Sequence, residues 1–212
     1  MTPKFSVITP SYLGQYKQAG SDRERKLVRA VNSVLNQNYG KPVEHIIVAD
    51  GCQRTEEIIR AVFPYELKYE VIRLLSIPKQ KMFSGVVRNT GINTAKGEYV
   101  CYLDADDIFG QDHLTVIDEH LNGYDWVFFN DLVYDRHGHF EERTCTIKHF
   151  DCGTSNIAHS REMRSRWKDK SGYGRDDWDF IQELRQESGN WAKIPTPEYV
   201  VCHIPLKGGY DL

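Results

Sequence analysis

The order of apolar and polar positions divides the chain into short apolar runs separated by amphipathic stretches. Residues 5–9, FSVIT, form an apolar run stopped by Pro10 and predict a buried strand. Ser21 stands three residues before Glu24, a capping-box spacing that opens a helix. Leu27, Ala30, Val31, Val34 and Leu35 follow at i, i+3, i+4, i+7 and i+8, one apolar helical face. VEHIIVADG predicts a second strand ended by Asp50 and Gly51, QRTEEIIRAVF a helix, and YEVIRLL a third strand. SGVVRNTGINTAKGEY reads as a helix with Ser84 as its N-cap and Gly97 as its stop, and EYVCYL as a fourth strand. Strands and helices alternating in this way imply crossover units, an α/β class and a largely parallel sheet.

The pattern changes after residue 110. DHLTVIDEHL predicts a helix, DWVFFNDLVY one strand, and DRHGHFEERT a hairpin turn around Gly138. Residues 144–175 read as irregular, with Gly153, Gly172 and Gly174 and a cluster of basic residues. DDWDFIQELRQ predicts a short amphipathic helix, and EYVVCHI a last strand behind Pro195 and Pro197. The expectation is a single domain over 1–212, with 1–110 as its nucleotide-binding half and 111–212 carrying the substrate-specific parts.

Composition narrows the class. The chain has 212 residues, 40% of them hydrophobic, with 27 Lys plus Arg against 30 Asp plus Glu and a formal net charge of −3. That balance gives no electrostatic case for binding nucleic acid. Five scattered cysteines show no C-x-x-C spacing. Cys52, Cys101 and Cys202 lie in or beside apolar runs as small core residues, so a reducing compartment is expected. The N-terminus lacks an apolar signal-peptide core and no run approaches 18 apolar residues, so the expectation is a soluble, cytoplasmic protein.

The chemistry gathers at strand ends. In open parallel sheets, ligands bind at the carboxyl ends of strands. Thr9 and Ser11, Asp50, and the group Asp104, Asp106 and Asp107 in YVCYLDADDIF end three separate strands. Carboxylates packed that closely repel one another. A hard divalent cation, Mg²⁺ or Mn²⁺ holding a diphosphate, cancels the repulsion; an Asx-rich turn capping the next helix is the other reading. The patterns G-x-x-x-x-G-K-[ST] and, after the first strand, G-x-G-x-x-G are absent, which disfavours a P-loop kinase and a dinucleotide enzyme.

FSVITPSY, LVRAVNSVLNQNY, HIIVADG, RNTGINTAKGEYVCYLDADD and GYGRDDWDF, in that order, resemble the motif series of family 2 glycosyltransferases, closely over about residues 4–110 and loosely over 170–205. The resemblance implies the GT-A fold: a Rossmann-like, mostly parallel sheet flanked by helices, with a smaller acceptor-side C-terminal part. It implies inverting transfer from a UDP- or GDP-linked sugar to a glycan, glycolipid or other hydroxyl acceptor. By position, Pro10, Ser11 and Tyr12 pack on the nucleotide, Asp50 reads the base, and Arg88 suits the diphosphate or base region. Asp104 and Asp106, flanking Ala105, match the D-x-D acids, with Asp104 nearer the ribose and Asp106 the metal ligand. Asp177 matches the general base, with Asp176 as its rival, and His203 lies where related enzymes carry a histidine that reaches the metal. The sequence departs from the family at Ala49, Cys52, Leu13, Val87 and Asp176, and the loop from Leu13 to Asp22 is longer than usual and could lid the donor site. The short chain, without C-terminal membrane helices, implies transfer of one sugar rather than processive synthesis.

Simpler readings stand beside these. His203 fits an ordinary strand histidine, and Asp177 an acid at a helix start, worth a few tenths to about 1 kcal/mol. Trp126, Trp178 and Trp191 fit core or rim positions, though an exposed ring near Asp177 could stack on a sugar. Residues 161–170, with Arg161, Arg164, Arg166, Lys168 and Lys170, fit either a solvated face or a peripheral contact to an anionic acceptor or lipid headgroup. A nucleotidyltransferase and a non-catalytic sugar-binding module are the alternative functions. SYLGQYKQAG makes a poor phosphate loop for the first, and retention of Asp104, Asp106 and Asp177 argues against the second.

Overall fold

The first strand, β1 (Phe5–Ser11), lies inside a seven-stranded sheet, and its apolar residues Phe5, Val7 and Ile8 are fully buried. A computed structural model of the protein describes residues 2–15, 21–80, 85–134, 137–168 and 175–202. β2 (Val43–Asp50) and β3 (Ile72–Ile77) join β1 on one side in parallel, and β4 (Tyr99–Tyr102) joins it on the other. Helices make the crossovers: α1 (Arg23–Leu35), α2 (Gln53–Val62) with the short α3 (Pro64–Lys68), and α4 (Gly85–Thr94). The expected face of α1 is the buried one: Leu27, Ala30, Val31 and Val34 all pack inward.

Several boundaries differ from expectation. β1 continues through Pro10, which pairs with Val48. Pairing with β4 ends at Ile8, so the proline has a strand neighbour on one side alone and its missing N–H disrupts no second ladder. The capping box at Ser21 does not form. Asp22 is the cap residue of α1, and Glu24 instead pairs with Arg54 at 2.6 Å. α4 ends at Thr94 rather than Gly97, and Ser84 lies outside the described residues. Gly97 serves a close approach: a Cβ there would stand 2.5 Å from the Ser6 amide nitrogen. Beneath it, the buried Glu44 accepts from Ser6 Oγ at 2.6 Å, Arg73 at 2.8 Å and the Gly97 amide at 3.2 Å.

The remaining chain completes this sheet and builds a second. β5 (Ile108–Phe109) and α5 (His113–Leu121) follow β4. The apolar run after α5 is two strands rather than one, β6 (Trp126–Phe129) and β7 (Asp131–Tyr134), and they belong to different sheets. Asn130 makes the break. Its side chain donates to the Pro195 carbonyl at 3.0 Å and accepts the Cys145 amide at 3.0 Å, so a polar residue is satisfied between two sheets. β8 (Phe140–Arg143) pairs antiparallel with β7, as the hairpin reading around Gly138 expects.

The stretch read as irregular contains β9 (Ile157–Ser160), which inserts antiparallel between β4 and β6. After α6 (Arg175–Glu187), the unanticipated β10 (Trp191–Ile194) extends the sheet beyond β6. The order is therefore β10-β6-β9-β4-β1-β2-β3, mostly parallel, with three strands drawn from the second half of the chain. β11 (Tyr199–Val201) joins the smaller sheet, ordered β5-β11-β7-β8. All five cysteines are free and buried. Among the described residues no helix is long and apolar enough to cross a membrane. In the basic run, Arg161 pairs with Glu162 at 3.2 Å and Lys168 with Glu183 at 2.9 Å, which neutralises part of that face; Asp169 and Lys170 lie outside the described residues.

Candidate active site

β4, β1 and β2 are neighbours in the sheet, so their carboxyl ends open on one edge, and the polar residues that end them form two groups there. The first surrounds Asp50. Its Oδ1 accepts the Gln80 amide at 2.7 Å and its Oδ2 accepts Lys79 Nζ at 2.6 Å. The same ammonium lies 4.3 Å from the Tyr12 ring centroid, so Lys79 bridges the two residues expected to hold a nucleoside. Gly51, at φ 59°, turns the chain sharply after Asp50, and its missing Cβ lets Lys79 approach. Ser11 is buried and shares a 3.0 Å hydrogen bond with Thr55, while the Leu13 amide donates to Cys52 Sγ at 3.2 Å. Pro10 is half-buried at the strand end, beside Ser11 and the Tyr12 ring. Residues 16–20 of the expected lid lie outside the described residues.

The second group surrounds the aspartates after β4. Arg88, on α4, donates to Asp104 Oδ1 at 3.1 Å and lies over the Trp167 ring at 4.9 Å. Burial holds the Asp104 carboxyl above the usual range. Arg88 pulls it down, while the charges of Asp106 and Asp177 push it further up. Asp177 therefore comes within electrostatic reach of Asp104, although 73 positions separate them in sequence. Asp106 sits on a turn whose backbone carbonyl accepts a hydrogen bond from Arg29, and Ala105 packs against the α1–β2–α2 core.

Asp107 has a separate role. It is almost fully buried; Tyr199 donates to its Oδ2 at 2.8 Å and the Cys202 amide to its Oδ1 at 2.7 Å. Tyr199 also accepts the Asp104 amide at 3.1 Å, and Arg29 reaches the Cys202 carbonyl at 3.3 Å. Asp104 and Asp107 are thereby tied to Tyr199 of β11 and to Cys202, which follows it. His203, the next residue, lies outside the described residues.

Asp176 and Asp177 begin α6 and differ in setting. Asp176 is buried, and burial together with the neighbouring Asp177 charge raises its pKa. Asp177 is half-buried, and its Oδ1 accepts a hydrogen bond from Thr154. Thr154 belongs to a 3-10 turn, Thr154–Asn156, whose Asn156 side chain donates to the Phe129 carbonyl at 3.1 Å and to Asp131 at 2.9 Å.

Two carboxylates at a strand end, crowded by a third, fit a hard cation that takes one or two protein oxygens and completes its shell on phosphate. Among the described residues no group of three His, Cys, Asp or Glu side chains encloses a metal ion. The residues that hold the site, Tyr199, Thr154, Lys79, Trp167 and Arg29, were not singled out as functional from sequence. Asp107 carried one signal, as the third acid of LDADD. Nothing local linked the others to it, because each sits in a run that reads as ordinary strand, loop or helix.

The sequence profile described as Glycosyl transferase family 2 matches residues 6–183. Poly(ribitol-phosphate) beta-N-acetylglucosaminyltransferase TarP of Staphylococcus aureus (strain N315) is 30% identical over 136 residues, 64% of this chain and 37% of that protein. TarS of Staphylococcus aureus (strain Mu50 / ATCC 700699), of the same description, is 28% identical over 121 residues, 55% of this chain and 19% of that protein. Among solved structures, S. aureus TarS 1-349 in complex with UDP-GlcNAc aligns with a TM-score of 0.70 at 18% identity, covering 93% of this chain and 58% of that one. Mannosyltransferase PcManGT from Pyrobaculum calidifontis, in complex with GDP-Man and Mn²⁺, aligns at 0.69 and 16% identity, covering 98% and 59%. The chain spans less than two thirds of each of these proteins. The fold it shares with the two structures is GT-A.

Proposed function

The chain belongs to glycosyl transferase family 2, and within that family we propose that it transfers a sugar from a UDP- or GDP-linked donor to the hydroxyl of a glycan, glycolipid or other acceptor, with inversion. The observation that carries this reading is that Asp177, at the start of α6, lies near enough to Asp104, at the end of β4, for its charge to act on the Asp104 carboxyl. One edge of the sheet then offers a site for a diphosphate beside a separate carboxylate able to act on the other reactant.

In this reading Pro10, Ser11 and Tyr12 pack on the nucleotide, and Asp50, which Lys79 also contacts, reads the base. Asp104, Ala105 and Arg88 line the sugar-nucleotide, with Asp104 toward the ribose. Asp106, with His203, would hold Mn²⁺ or Mg²⁺. Bound there, the cation would offset negative charge on the departing diphosphate.

Inverting transfer is one in-line displacement at the anomeric carbon, so the acceptor hydroxyl must lose its proton as it attacks. Asp177 takes that proton. Thr154 fixes one carboxylate oxygen and leaves the other to accept from the hydroxyl, and such positioning is typically worth about 10²–10⁴-fold. Asp176 is the poorer base, because it is buried and a charge on it is opposed by Asp177.

Incubation with a panel of nucleotide sugars and Mn²⁺, with and without glycan acceptors, tests the reading. Release of nucleoside diphosphate and a product of inverted anomeric configuration are expected. Release of pyrophosphate instead, a retained configuration, or no turnover of any donor would refute it.

A further inference from the structure

Phe150 is the most exposed large apolar side chain among the described residues, at 67%. Its backbone φ of 69° is one that a bulky L side chain rarely adopts. The loop presenting it is well built. Thr146 donates to Asp151, the Lys148 amide donates to the Thr146 carbonyl at 2.8 Å, and the buried Cys145 and Cys152 anchor both ends. A single exposed ring is ordinary on a protein surface; it is the backbone conformation beneath this one that calls for a reason.

The ring is not isolated. Phe150 lies against His149 with ring centroids 3.9 Å apart and planes tilted by 33°, and the His149 and Trp178 centroids are 5.8 Å apart at 55°. Trp178 directly follows Asp177 on α6, and Thr154, four residues after Phe150, holds Asp177. Segment 149–154 thus meets the first turn of α6 twice, ring on ring and hydroxyl on carboxylate. The aromatic surface is continuous with the carboxylate assigned to the acceptor hydroxyl.

We propose that Phe150, His149 and Trp178 form an acceptor subsite that stacks the pyranose ring of a glycan, which rests on the reading of Asp177 as the base. A pyranose presents C–H groups on its face and hydroxyls around its edge. Laid on an aromatic platform, it buries the face and turns an edge hydroxyl toward the neighbouring carboxylate. A ring-free polyol phosphate has no such face and calls for cations. Within the platform loop, Lys148 and Asp151 carry charges of opposite sign.

Saturation-transfer NMR tests this on the full chain with methyl β-D-glucopyranoside, methyl β-D-galactopyranoside and glycerol 3-phosphate as probes. Transfer to the ring C–H protons of at least one pyranoside, and none to glycerol 3-phosphate, is expected. Phe150→Ala should reduce it at least fivefold, Phe150→Tyr should restore it, and Tyr65→Ala, which removes an equally exposed ring on α3, should leave it unchanged. No transfer to either pyranoside, an undiminished signal in Phe150→Ala, or an equal response to glycerol 3-phosphate would overturn the proposal. Nucleoside diphosphate release by the unaltered chain, measured separately, tests the glycosyltransferase reading on its own.

Discussion

Tyr199 and Asp107, 92 positions apart, are joined by a hydrogen bond of 2.8 Å from phenol to carboxylate. Both are buried, and burial with the charges of Asp107 and Asp104 pushes the Tyr199 phenol well above its ordinary value, so it remains a donor. Through this contact the last described strand fixes the loop that carries Asp104 and Asp106.

Tyr199→Phe keeps the ring and removes the hydroxyl. Asp107 then stays buried without one of its donors, which costs about 1–3 kcal/mol. The loop loses its register as well, and altering a group that orients a metal ligand typically lowers metal affinity by about 10–100-fold. Urea unfolding should report the first effect. Calorimetry of UDP and GDP should report the second, as weaker binding with Mn²⁺ present and little change without it.

Asp106→Ala tests the cation directly. The unaltered chain should bind a nucleoside diphosphate more tightly with Mn²⁺ than without, and the variant should lose that difference. Equal affinities in the unaltered protein, or an unchanged metal response in the variant, would refute the assignment.

Asp177→Asn preserves shape and removes basicity. It should lower kcat by at least about 10²-fold while nucleotide affinity stays nearly unchanged. Thr154→Val should lower kcat in the same direction by a smaller factor, since it frees the carboxylate without removing it. If Asp176→Asn abolishes turnover and Asp177→Asn does not, the base is Asp176.

Stability should fall on mild acidification. His45 and His113 are fully buried and pushed down to about 3, and His159 to about 4, in each case chiefly by burial. The unfolded chain binds these protons from about pH 6.5 downward while the folded chain refuses them, so stability is full above that pH and drains away below it. Each pH unit across that window is worth up to about 1.4 kcal/mol per ring. The raised carboxyls Asp104, Asp176 and Glu198 act in the opposite sense and offset part of the loss. His113→Phe suits its aromatic surroundings of Phe109, Phe129 and Tyr199. It should remove about one proton from the slope of unfolding free energy against pH between about 4 and 6. An unchanged slope would show that His113 titrates normally in the folded protein.

What the sequence determined by itself was whatever a local pattern encodes. The buried face of α1, the strands β1 to β4 and their parallel order follow from periodicities of a few residues, and Asp50 and Asp104 announce themselves as acids at the ends of apolar runs. Tertiary structure decided the rest, because the deciding partners are far apart in the chain. Asn130 divides an apolar run between two sheets once it meets Cys145 and Pro195. β9 and β10 are short apolar stretches that become strands by filling an open edge and a gap in the sheet. Asp107 parts company with Asp106, its neighbour in sequence, because Tyr199 and Cys202 reach it. Thr154 finds Asp177 across 23 positions. Carboxylate chemistry is local, and so it was legible; which partner satisfies each carboxylate depends on chain packing, which no short spacing records.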